Sequence, residues 1–105
     1  MAYLYKLTPL AQADLDDAIS YIAENLSNRS AANKLYHSVV KEIKNICSAP
    51  FSFPNCSYYL IDDETVRHAL IGNYVLIFEI DEGSHLIKIL RFLYGGMDIA
   101  NMGLG

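Results

Sequence analysis

The stretch Val66–Asp98, VRHALIGNYVLIFEIDEGSHLIKILRFLYGGMD, decides the fold. Three runs of apolar, β-branched and aromatic residues are separated by Gly72-Asn73 and by Asp81-Glu82-Gly83-Ser84, and runs bounded by such turn residues read as β-strands. Glycine reaches positive φ without steric cost, so Gly72-Asn73 suits a two-residue hairpin loop with glycine first, and the Asp/Gly loop suits a slightly longer one. The three strands therefore form an antiparallel meander. Two arginines, Arg67 and Arg91, stand within this apolar sequence, and the last strand ends on Tyr94-Gly95-Gly96.

Upstream of the meander, Ala2 to Leu7 alternate weakly, Tyr3, Tyr5 and Leu7 against Leu4 and Lys6, and read as a first strand. Thr8 can cap a following helix through its hydroxyl, and Pro9 fits the first helical position, where a missing N–H costs nothing. Ala11, Leu15, Ala18, Ile19, Ile22 and Leu26 then recur at spacings of three and four, which predicts an amphipathic helix to about Leu26. Ser27-Asn28 breaks it and caps a second helix. The stripe of that helix is Ala32, Tyr36, Val39, Val40, Ile43 and Cys47 until Pro50 forbids continuation. Helices joined so closely form an antiparallel hairpin. Phe51 to Tyr59 reads as an ordered loop pinned by Phe51 and Phe53, Tyr58–Ile61 as a short strand, Asp62-Asp63-Glu64 as a charged turn, and Met97 to Met102 as a terminal turn or helix.

A length of 105 residues with 52% hydrophobic composition predicts one domain, residues 1–105, with a real core. The expected class is α+β: an N-terminal strand and a helical hairpin packed on one face of a twisted, mainly antiparallel sheet of four to five strands, the other face partly open. Apolar residues on both parities of the meander suggest a partner chain as the cover of that face. No run is long enough for a membrane span, and the N-terminus lacks the basic start and long apolar core of a signal peptide. A cytoplasmic protein is expected. Cys47 and Cys56 make no disulfide framework and have no ligand spacing, so neither metal nor cofactor is expected.

Net charge is −4, which argues against strong non-specific binding to nucleic acid. The first helical stretch carries only acids, Asp14, Asp16, Asp17 and Glu24, while the second is net basic.

The order of parts, with Arg67 opening a strand, Asn73-Tyr74 opening the next, and Arg91-Phe92-Leu93-Tyr94-Gly95-Gly96-Met97-Asp98 ending the last, resembles the RelE/ParE family of bacterial toxins over the whole chain. The resemblance implies the toxin of a type II toxin–antitoxin pair, its active surface occluded by a cognate antitoxin. Within that family two mechanisms differ in class. One is a ribosome-dependent mRNA endonuclease. The other, which the acidic charge favours, is a ParE-like protein-binding inhibitor, with DNA gyrase as the target the resemblance suggests, and no enzymatic activity. A third reading is an interaction module without toxicity.

Candidate chemistry starts with Arg67 and Arg91, because a guanidinium fork is permanently charged and matches phosphate oxygens, so two on neighbouring strands can clamp one phosphate. The competing structural reading pairs each with a carboxylate such as Glu79 or lays it against tyrosines. RNA cleavage through the 2′-hydroxyl needs a base, an acid and a cation, and in nuclease members of the resembled family a histidine or tyrosine near this end serves with basic residues. Tyr94 is the residue here. Gly96 and Met97 fall where that family commonly has two basic residues. Arg91 and Tyr94, three apart on a strand, begin on opposite faces, so they cooperate only if the strand twists or bulges. Lys34, His37, Lys41 and Lys44 form a basic row on the second helix, either a solvated face or a contact for ribosomal RNA or an acidic partner. Asp14, Asp16 and Asp17 read as acids favoured early in a helix by its dipole.

Overall fold

The computed structural model describes residues 2–56 and 63–95. Strand β1 (Leu4–Leu7) leads into helix α1 (Pro9–Ser20), which widens into a π-helical turn (Tyr21–Asn25). Helix α2 (Arg29–Ser48), a 3-10 turn (Pro50–Ser52) and strands β2 (Val66–Ile71), β3 (Tyr74–Asp81) and β4 (Leu86–Tyr94) follow. The sheet order is β1-β4-β3-β2, with β1 parallel to β4 and the other pairs antiparallel. The expected α+β class, first strand, helical hairpin and meander are all present. The strand expected over Tyr58–Ile61 and the terminal turn over Met97–Met102 lie outside the described residues.

Local chemistry sets the boundaries. Thr8 accepts from the Ala11 N–H at 3.1 Å and Asn28 from the Ala31 N–H at 3.0 Å, so both helices begin on side-chain caps. Helical structure extends to Asn25, but as a π turn closed by the Leu26 N–H on the Tyr21 carbonyl at 3.2 Å. Gly72 has φ +58 and leads the β2–β3 hairpin, as expected of a two-residue loop. In the β3–β4 loop the left-handed residue is His85, at φ 53, and not Gly83. There the Asp81 carboxylate accepts the Ser84 N–H at 3.2 Å, and His85 stacks on Tyr3 with centroids 3.9 Å apart.

The main core lies between the helices and the sheet. Ala11, Leu15, Val39, Ile43 and Ile46 meet Ala69, Leu76, Phe78, Ile80, Ile87, Ile89 and Phe92. Ala32, Val39, Ile43 and Cys47 of the expected α2 stripe are buried, but Leu35 packs against the core in place of Tyr36, which is half exposed. Leu26, also placed on a stripe, is 56% exposed. A second cluster, Val66, Val75, Ile77 and Leu93 around Cys56, fills the opposite face. That face was expected to be partly open. At its centre Val75 is 2% and Ile77 0% exposed, so the chain itself closes it there, and β3 is apolar on both parities because it is buried on both sides. The loop carrying Cys56 runs along β2: the His68 N–H donates to the Pro54 carbonyl at 3.0 Å and Asn55 bridges to Arg67.

One irregularity positions the site. Ile77 pairs with Arg91 but Phe78 pairs with Ile89, leaving Leu90 without a counterpart on β3. This bulge shifts the parity of β4, so that Ile87 and Ile89 before it and Phe92 after it all face the helices.

Candidate functional site

β1 covers β4 only as far as Ile89. At that point the Thr8 N–H donates to the Ile89 carbonyl at 3.0 Å and the Thr8 hydroxyl donates to the Leu90 carbonyl at 3.0 Å. Pro9 then turns the chain into α1, which runs alongside the remainder of β4. Residues 90–94 thus form a strand edge whose neighbour is a helix, and their outward N–H groups need partners from side chains. Asp14 provides one: its carboxylate accepts the Phe92 N–H at 3.1 Å. The same carboxylate takes Arg91 in two parallel bonds, Nε to Oδ2 at 2.7 Å and Nη2 to Oδ1 at 3.0 Å. Both side chains are nearly buried, 12% and 15% exposed. Hydrogen bonding to Asp14 raises the Arg91 pKa further, against an opposing effect of burial.

Arg91 is therefore an ion-paired strand arginine, and its partner is Asp14. Glu79, the carboxylate named from sequence, instead faces Lys88 at 3.8 Å, which also reaches Asp81 at 3.6 Å. The signal for Asp14 was present. Ala11, Asp14 and Ala18 share the spacing of three and four that marks the apolar stripe, and an acid on a buried helix face implies a cationic partner.

Arg67 stands apart. It lies on β2, with β3 between it and β4, so the two arginines are not on neighbouring strands, and two strand spacings, roughly 10 Å, separate their backbones. Its Nη1 donates to the Phe53 carbonyl at 2.9 Å and its Nε to the Glu64 carbonyl at 3.2 Å, and the guanidinium carbon sits 5.4 Å from the Phe51 ring centroid. The groove beside it, about 610 Å³, is bordered by Glu64, Glu79, Asp81 and Glu82 as well as Lys88. The phosphate clamp inferred from the sequence is not formed.

Tyr94 is 51% exposed, as expected at the strand end. It meets Tyr74 edge-on at 5.8 Å, and Tyr74 lies flat on Phe92 at 4.8 Å. The following Gly95 donates its N–H to the Asn73 carbonyl at 2.7 Å, and a Cβ there would stand 3.1 Å from that oxygen. Tyr94 and Arg91 do line one groove, of about 780 Å³, with Asp14, Asp17, Tyr21 and Tyr74.

Lys34, His37, Lys41 and Lys44 are all exposed on α2. Lys41 borders a groove by Leu70 and Gly72, whereas Lys44 borders another by Tyr3 and Tyr5. His68 Nδ1 lies 3.9 Å from the buried Cys56 sulfur, and burial lowers the imidazole pKa. Among the described residues no three His, Cys, Asp or Glu side chains converge as a metal site, and no helix is long and apolar enough to cross a membrane.

The family model of the ParE toxin of the type II toxin–antitoxin system parDE matches residues 5–99. Two solved structures share the fold. One is the chromosomal ParDE toxin–antitoxin system from P. aeruginosa, with TM-score 0.69, 20% identity, and 89% of this chain and 96% of that chain covered. The other is the toxin–antitoxin complex RelBE2 from Mycobacterium tuberculosis, with TM-score 0.57, 18% identity, and coverage of 90% and 99%. No curated protein matches.

Proposed function

Since this chain belongs to the ParE toxin family of type II toxin–antitoxin systems, we propose that it arrests growth by binding a protein target, with DNA gyrase the target the family suggests, and that a small antitoxin neutralises it. The observation that carries this reading is the Asp14–Arg91 pair. The Asp14 carboxylate takes the Nε–Nη2 edge of the guanidinium with both oxygens and offsets its charge where a phosphorane would need it. Arg67 is turned to backbone carbonyls among four carboxylates. Gly96 and Met97 add no cation, and the chain as a whole is acidic. An interface with protein needs none of these charges.

One observation favours the second reading, a ribosome-dependent mRNA nuclease: Tyr94 is exposed in the same groove as Arg91. General-base work by a tyrosine at this end needs cationic support, and Arg91 in the same groove is engaged by Asp14. Inducing the chain in a bacterial host and assaying DNA supercoiling by purified gyrase in its presence tests the proposal. Growth arrest with inhibited supercoiling is expected; arrest with untouched gyrase would refute gyrase as the target, and no arrest would support a non-toxic interaction module.

A further inference from the structure

Three phenols line the groove between α1 and the outer edge of β4. Tyr74 stacks on Phe92 and takes Tyr94 edge-on. Burial raises the Tyr74 pKa, and the neighbouring phenols of Tyr94 and Tyr21 raise it further, so Tyr21 approaches the same point from the helical wall. Tyr21 is the first residue of the π turn, a local widening that re-aims side chains and recurs at binding sites. Asp17 precedes Tyr21 by four residues, which puts the two on one helical face. Its side chain is exposed and makes no ion pair among the described residues.

Aromatic faces carry the negative part of the ring quadrupole, and with an uncommitted carboxylate beside them they attract a cation that has an apolar stem. Anions are disfavoured, because Arg91 is neutralised by Asp14 and Asp17 adds negative charge. We infer that this groove receives an arginine or lysine side chain of the antitoxin, its stem against Tyr74 and Tyr94 and its charge toward Asp17. The inference rests on the toxin–antitoxin reading above. Charge complementarity supports a basic occupant, since α1 carries acids and no bases and the whole chain is at −4.

Two measurements test it separately from that reading. In the first, acetyl-arginine amide is titrated into the chain while the Tyr21, Tyr74 and Tyr94 ring signals are followed by NMR, with acetyl-glutamate amide as control. Shifts with arginine alone, lost in Asp17→Asn, are expected; no shift at about 50 mM, far above a weak millimolar affinity, overturns the site. In the second, the product of a short reading frame found next to the one encoding this chain is titrated by calorimetry. Asp17→Asn and Tyr21→Ala should each weaken binding about tenfold, and Asp17→Lys more, with a Lys→Glu or Arg→Glu change in that product restoring it. Asp17 is exposed, so its variants fold even where Tyr21→Ala does not. Wild-type affinity in the Asp17 variants overturns the inference alone, whereas no binding by the wild-type chain overturns the toxin–antitoxin reading and the inference with it.

Discussion

Asp14 does two things with one carboxylate: it closes the edge of β4 through the Phe92 N–H and holds Arg91 in a fork. Removing either member of a nearly buried pair leaves the other charged and unsolvated, at a cost of about 3 kcal/mol. Arg91→Ala and Asp14→Ala should each lower stability by about that amount in urea unfolding, and the double variant by clearly less than their sum. An Arg91→Ala chain as stable as wild type would return Arg91 to the pool of ligand-binding residues. Cys56 offers a pH test. Burial lifts its thiol from 9.0 to about 11, against a smaller lowering by Arg67. The folded state therefore keeps a proton that the unfolded chain gives up, so this stabilisation is complete below about pH 9 and is lost as pH rises toward 11. Replacing Cys56 by Ala should flatten the fall in stability over that window; an unchanged slope would show that the thiol does not contribute to it.

The entry to α1 is where strand, helix and site are joined. Thr8 caps the helix and also bonds the Leu90 carbonyl beside the bulge, so Thr8→Ala should cost about 2 kcal/mol, the upper end for a lost cap. A loss of a few tenths would mean that water replaces both bonds. This cap, the Asn28 cap, the Gly72 hairpin and the strands themselves were legible in sequence because each is written in residues a few positions apart. Leu90's bulge was not, since only pairing with β3 reveals that Ile89 and Phe92, three apart, share a face. The π turn at Tyr21 left no trace in a stripe that reads equally well as α-helix. His85 took the left-handed position that Gly83 advertised, where stacking on Tyr3 accompanies the unfavourable φ. Tyr36 and Leu35 were exchanged because adjacent apolar residues give periodicity no means of choosing between them.

At the scale of the molecule, the separation of the two arginines follows from strand order. A meander read along the chain puts β2, β3 and β4 side by side, so Arg67 and Arg91 flank β3, and the sequence reading of a shared phosphate overlooked the strand between them. Burial at the centre of the second face, where Cys56 joins Val66, Val75, Ile77 and Leu93, was equally hidden, because nothing local says which face a loop residue will pack on. What emerges is a toxin-family chain whose candidate cations are engaged by its own carboxylate and carbonyl groups, with an aromatic, acidic groove beside them. The protein-binding inhibitor proposed above uses no catalytic cation, whereas a nuclease would need one. Primer extension across a translated mRNA, in cells arrested by induction of the chain, tests this claim most directly. The arrangement predicts the same 5′ ends before and after arrest; new ends clustered within codons, present with the wild-type chain and absent with Tyr94→Phe, would contradict it.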